Sequence, residues 1–145
     1  MTVTLSDEAR RLIALIEEES GATVRDCVVD DEFDRLLVLV KAGEMGEAIG
    51  PGGRTVQRVE ERLDREIKLV EDAPTAEDFV ASALAPAAVY NVTMSGGDGD
   101  DATTVAYAEV ADEDRGIAIG RDGRNIAAAR TLAARHFDVD DVELA

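Results

Sequence analysis

The chain has 145 residues, 46% of them hydrophobic, and carries 32 acidic against 15 basic residues for a formal net charge of -17. It is long enough for one average domain or two small ones, and no apolar run reaches the length of a membrane span. A single cysteine, Cys27, rules out an intrachain disulfide and any multi-cysteine metal site.

In chain order, Ser6 precedes Asp7-Glu8 and an apolar series at Ala9, Leu12, Ile13 and Ile16, which predicts a capped amphipathic helix stopped by Gly21. Two β-rich runs follow, Thr23 to Val29 and Leu36 to Val40, with the polar stretch Asp30 to Asp34 as a hairpin turn. A short helix from about Gly43 to Ile49 leads into a glycine loop. A second helix from Arg54 to about Asp64 follows, and a strand from Ile67 to Val70 closes the unit. Asp72-Ala73-Pro74 is a short linker. Thr75 with Asp78 starts a helix carrying Phe79, Val80 and Leu84 that ends near Pro86. Strands at Val89 to Met94 and Thr103 to Val110 come next, then a short helix to Ile119 and a second glycine loop. A long helix from Arg124 to about His136 and a strand from Val139 to Leu144 complete the chain.

The two glycine loops match. Ile49-Gly50-Pro51-Gly52-Gly53-Arg54 and Ile119-Gly120-Arg121-Asp122-Gly123-Arg124 share the pattern Ile-Gly-x-x-Gly-Arg, 70 residues apart. Gly46, Ala48 and Val56 extend the correspondence to Gly116, Ala118 and Ile126. One G-x-x-G is weak evidence, but two in matching surroundings indicate tandem duplication of one module. The predicted domains are 1–72 and 73–145. Each reads as an α+β layer of order α-β-β-α-α-β, with helices packed on one face of a small sheet. Modules this small have thin cores, so the halves are expected to pack on each other.

A G-x-x-G turn between two helices lets the first glycine end the incoming helix at positive φ, and the last glycine admits close approach of a ligand backbone. The outgoing helix then presents unpaired N–H groups and the positive end of its dipole, a setting suited to phosphate. Neither loop has the Gly-Lys-Ser/Thr ending of a P-loop or the G-x-G-x-x-G spacing of a dinucleotide site. Arg54, Arg58 and Arg62 form a basic stripe behind the first loop, with Val56, Val59 and Leu63 toward the core. Two readings of it stand side by side: a nucleic-acid contact, or an ion-pair face with Glu60, Glu61, Asp64 and Glu66. The second helix keeps Arg124, Arg130 and Arg135 but places Ala127, Ala128 and Ala129 between them, so it should pack more tightly and bind charge less strongly.

The order α-β-β-α-α-β with Ile-Gly-x-x-Gly before the long helix resembles a type II KH domain, an RNA-binding module whose loop clamps about four nucleotides. Two in tandem, with Ala83-Leu84-Ala85-Pro86-Ala87 after the linker, resemble the paired KH domains of NusA-like transcription termination factors in their short archaeal, haloarchaeal form. The resemblance implies RNA-binding loops at Gly50 through Gly53 and Gly120 through Gly123, with Ile49 and Ile119 supporting the groove floor. It implies single-stranded RNA as ligand in termination or antitermination, with RNA polymerase or other transcription factors as further partners, though no individual residue points to direct polymerase contact. One departure stands out: KH loops usually hold Lys or Arg between the glycines, whereas Pro51-Gly52 supplies none and Arg121 is followed by Asp122. Charge then falls to Arg54 and Arg124.

The alternative function is an acidic protein-interaction scaffold contacting the transcription machinery with little RNA binding. An enzyme is not expected: His136 is the sole histidine, read as a helix-terminal or interface residue, and no nucleophile–base pair is evident. Gly96 to Asp101 fits the start of a calcium-binding G-G-x-G-x-D repeat, but such sites need stacked copies; it is read as a hairpin turn. No cofactor, metal, membrane or small-molecule substrate is expected. The dispersed acidic excess, with Lys41 and Lys68 the only lysines, points to a salt-loving host, because molar salt screens self-repulsion to a Debye length of about 3 Å. A cytoplasmic location is expected.

Overall fold

A computed structural model describes residues 3–96 and 103–145. They form two compact units, Thr4–Asp72 and Ala73–Ala145. The predicted turn over Ser95 to Asp101 falls largely on 97–102, outside the described residues.

In the first unit α1 (Asp7–Ser20) is followed by β1 (Val24–Asp30), β2 (Arg35–Val40), α2 (Met45–Ile49), a 3-10 turn (Pro51–Gly53), α3 (Arg54–Leu63) and β3 (Glu66–Glu71). The Ser6 side chain caps α1 by accepting from the Ala9 N–H, and Gly21 ends it at φ 75. β1 and β2 are antiparallel and β2 and β3 parallel, so the central strand is the second in sequence. The hairpin between β1 and β2 is more than polar. Arg35, only 2% exposed, donates to Asp30 at 2.8 Å and lies 5.0 Å above the Phe33 ring. Ile13, Ile16, Val24, Cys27, Leu36, Val38, Val40, Ala48 and Val59 make the core under the helices.

The second unit repeats the order with α4 (Ala76–Ala83), β4 (Val89–Ser95), β5 (Val105–Val110), a 3-10 turn (Asp112–Asp114), α5 (Arg115–Ile119), a second 3-10 turn (Arg121–Gly123), α6 (Arg124–Phe137) and β6 (Asp141–Leu144). Thr75 caps α4 by accepting from the Asp78 N–H, as its spacing predicts. Strand order and sense match the first unit. Both first strands also shift register at the same place, between Val24 and Asp26 and between Val89 and Asn91. The expected strand from Val139 begins two residues later, at Asp141. Asp138 ends α6 in the left-handed region and Val139 is used as a buried core residue instead.

Alanine dominates this second core: Ala83, Ala106, Ala108, Ala118, Ala128, Ala129 and Ala133 are all essentially buried. Phe79 supplies the bulk, 4.9 Å from Phe137 and 6.4 Å from His136, which sits in the last turn of α6 as expected of a helix-terminal histidine. Small side chains make up much of the buried face of α6, with Ala128, Ala129, Leu132 and Ala133 all fully buried. Among the described residues no helix is long and apolar enough to cross a membrane.

Candidate nucleic-acid interface

Each glycine loop is built the same way. The first glycine ends the short helix, donating its N–H to the carbonyl of Gly46 or Gly116. Its backbone lies at φ 74, ψ 170 for Gly50 and φ 79, ψ 168 for Gly120, a region open essentially to glycine alone. Space forbids a side chain as well. A Cβ on Gly50 would lie 2.9 Å from the Thr55 nitrogen, and one on Gly120 would lie 2.7 Å from the Asn125 nitrogen. The first glycine is therefore required by the start of the outgoing helix.

The last glycine plays another part. Gly53 and Gly123 both have φ 79, accept no side-chain cap, and face open space where a Cβ would project. Each donates its N–H to the first glycine's carbonyl at 3.0 Å, closing the turn. Between them, Gly52 at φ 61 and Asp122 at φ 58 hold the same left-handed conformation, which aspartate tolerates better than most residues. The result is a tight turn that leaves the N-termini of α3 and α6, and so the positive dipole end, uncapped by any side chain, the first N–H of each helix (Arg54, Arg124) donating to the Pro51 or Arg121 carbonyl.

Apolar surface adjoins both turns. Ile49 and Ile119 are 40% and 42% exposed, and Ile117 is 47% exposed. Beside the second turn a groove of about 300 Å³ is lined by Arg115, Ile119, Gly123, Ile126, Arg130, Glu143 and Leu144. Among the expected site residues, Ile119 and Gly123 line this groove, while Gly120, Arg121, Asp122 and Arg124 form its adjoining turn and helix start. Arg124 folds back, donating to the Arg121 carbonyl at 3.2 Å. In the first unit Ile49, Gly50, Pro51, Gly52, Gly53 and Arg54 form the equivalent edge.

Arg58 and Arg62 are placed differently. Both donate to the Glu19 carboxylate at the end of α1, Arg58 at 3.1 Å, and Arg58 also reaches the Glu19 carbonyl. The neighbouring Arg62, then Arg58, hold the Glu19 carboxyl below the usual range. Arg58 and Arg62 thus form an ion-pair face in this structure, but their partner is Glu19 rather than Glu60, Glu61, Asp64 or Glu66. Glu60 instead accepts the Ile67 N–H at 2.8 Å.

Asn125 and Arg115 shape the interface without having been singled out from sequence, and Arg130 was noted there only as one of the arginines kept on the second helix. Asn125, 8% exposed, donates its side-chain amide to the carbonyls of Leu84 and Ala118 at 3.1 Å each, tying the start of α6 to α5 and to the end of α4. Arg115 reaches the Ala145 carbonyl at 2.9 Å. Arg130 donates from Nε to the Val142 carbonyl at 3.0 Å and is ion-paired with Asp141 at 2.9 Å and Glu143 at 3.9 Å. The Glu143 side chain beside it shares the Asp141 site: the pairing holds the Asp141 carboxyl low and pushes Glu143 up. The asparagine and the two arginines stand within the repeated region, so comparing the two copies position by position is the signal that finds them.

Residues 76–145 match the NusA-like second KH domain family, and residues 10–92 match the KH domain family. A probable transcription termination protein NusA from Halobacterium salinarum is 62% identical over 99% of both chains. The chain belongs to the NusA family. A second NusA relative, from Halococcus morrhuae, is 61% identical over the full length of both chains. The transcription termination/antitermination protein NusA of Bacillus subtilis is 29% identical over 88% of this chain but only 34% of its own length. Among solved structures, the crystal structure of APE1850 superposes with a TM-score of 0.85 at 30% identity, covering 97% of this chain and all of that one. The two units are KH domains with the element order the repeat predicts.

Proposed function

We propose that this NusA-family chain binds single-stranded RNA through its two G-x-x-G turns and the apolar surface beside them, acting in transcription termination or antitermination. One observation carries the reading: both turns leave a helix N-terminus uncapped by side chains next to exposed isoleucine. Backbone donors at such a terminus suit a phosphate, and apolar side chains alongside suit an unstacked base. The positive charge available at the turns is small, namely Arg54, Arg121 and Arg124, so binding of modest strength is expected.

The test is fluorescence anisotropy of short labelled single-stranded RNA with the full chain at molar potassium chloride. Pro51→Asp with Gly52→Asp in the first turn and Arg121→Asp in the second should abolish binding, because each puts a new carboxylate where phosphate would sit. The backbone at Gly52 already matches that of Asp122, so the acidic first turn should fold, with circular dichroism and melting temperature unchanged. Wild-type affinity in this folded triple variant would remove the phosphate-clamp reading and leave the acidic scaffold.

A further inference from the structure

The two units share a backbone plan, but around the groove their chemistry is opposite. Glu60 and Arg130 occupy the same place, 70 residues apart, and each ties the outgoing helix to the closing strand. Glu60 does so as an acceptor, taking the N–H of Ile67, whereas Arg130 is a donor to the carbonyl of Val142. Ile67 and Val142 are themselves equivalent, paired with Leu36 and Ala106. Two further positions differ in the same way: Met45 faces Arg115 in the comparison and Pro51 faces Arg121, while Lys68 and Glu143, equivalent by strand register, differ in the opposite sense. The second groove therefore has guanidinium groups from two helices on its walls, while the first has a thioether and a carboxylate in their places.

We propose that Arg130 is the base-reading residue of the second KH groove, selecting nucleotides whose edge carries two neighbouring acceptors, cytosine or guanine, over uracil and adenine. This rests on the RNA-binding reading above. With Nε held by Asp141 and Val142, the guanidinium is oriented and its outer nitrogens form a fork, with Nη2 3.9 Å from the Glu143 carboxylate, beyond hydrogen-bond reach; the side chain is 41% exposed and lines the groove. Such a fork matches O6 and N7 of guanine, or O2 and N3 of cytosine, with two parallel bonds. Uracil separates its two acceptors by an N–H, and adenine offers only single ones. Ile119, Ile126 and Leu144 supply the apolar walls for the base, and Glu143 closes the lip. The first unit, with Glu60 at this position, lacks the fork and contributes little base preference of this kind.

The experiment uses the full chain and four labelled decamers, all-uridine RNA and the same RNA with three central cytidines, guanosines or adenosines, titrated at several potassium chloride concentrations. Wild-type protein should favour the cytidine and guanosine decamers by roughly 5- to 100-fold. Arg130→Gln should erase that preference by weakening the cytidine and guanosine decamers far more than the all-uridine RNA, with the salt slope unchanged, since a base contact neutralises no phosphate. Arg130→Lys, which keeps the charge but not the fork, should erase the preference too, and it decides the matter if the glutamine variant does not fold. Glu60→Gln should leave the ranking as in wild type. Equal weakening toward all four RNAs with a shallower salt slope would make Arg130 a phosphate contact and overturn the proposal, as would an unchanged ranking. Wild-type protein that binds none of the RNAs overturns the RNA-binding reading along with it; wild-type binding without the preference overturns only the role of Arg130.

Discussion

At the scale of single residues, the glycines of each loop divide by the reason they are needed. Gly50 and Gly120 meet both a glycine-only backbone and a neighbouring helix start, so Gly50→Ala or Gly120→Ala should cost about 3 kcal/mol or more, the sum of backbone strain and displaced packing. Gly52→Asp should cost less than about 1 kcal/mol, because aspartate accepts that conformation and already does so at Asp122. Denaturant titration in molar salt separates the two outcomes; equal losses at Gly50 and Gly52 would contradict the division. The importance of these glycines was legible in the sequence from the repeat alone. Which glycine serves packing and which serves the turn was not, since that depends on where Thr55 and Asn125 come to rest. The same chain uses aspartate at three other positive-φ sites, Asp34, Asp64 and Asp138, where glycine or asparagine is the more familiar signal. The ends of α3 and α6 were therefore read only approximately. Cys27 offers a probe at this scale. It is buried, and burial foremost, with Asp26 adding to it, pushes its thiol up to about 12. Its reaction with an alkylating reagent at neutral pH should be slow in the folded state and rise only under conditions that unfold the protein.

At the scale of elements, sequence periodicity located every helix and strand to within a few residues because caps and stops are local: Ser6, Gly21 and Thr75 act on neighbours three or four positions away. The fate of Arg58 and Arg62 was beyond that reach, because their partner Glu19 lies on another helix some 40 residues earlier. The groove-lining role of Arg115 and Arg130 in the second unit stayed hidden for the same reason, since the two line one groove only when α5, α6 and β6 assemble. On the second helix Ala128 and Leu132 are fully buried, whereas Arg130 lines the groove side, a division the residue types alone did not show. The Glu19 clamp leads to a prediction. Glu19→Gln should release Arg58 and Arg62 toward RNA lying along the first loop, raising affinity a few-fold and steepening the salt slope by roughly 0.7 for each phosphate gained. Lowering pH should do the same. The folded-state carboxyl is held below its ordinary value, so the ion pair is intact above that value and is lost only as pH falls through the depressed one. A carboxyl titration of Glu19 by nuclear magnetic resonance alongside the binding curves checks both; release of the arginines without any gain in affinity would exclude them from the RNA path.

At the scale of the whole molecule, the governing quantity is the net charge of -17 on 145 residues. Self-repulsion of this size opposes the compact state at low ionic strength, while molar salt confines each charge to a few ångströms. Stability should rise with potassium chloride, and Cys27 alkylation should slow in parallel. RNA binding is then subject to two opposing effects of salt. Phosphate contacts weaken with it: two to four contacts, the number that Arg54, Arg121, Arg124 and the helix N-termini can supply, give a slope of log affinity against log salt of roughly -1.5 to -3. Contacts between bases and the apolar walls beside the loops change little, and the folded fraction available to bind increases. The expected profile is therefore weak dependence through the molar range, with affinity falling again at low salt where the fold loosens. Titration of one RNA from about 0.2 to 3 M potassium chloride, with circular dichroism at each point, resolves the two limbs, since the Debye length shrinks steadily over that range. A slope steeper than about -5 would require more phosphate contacts than these loops provide, and would place the RNA on a longer basic track than the two glycine turns.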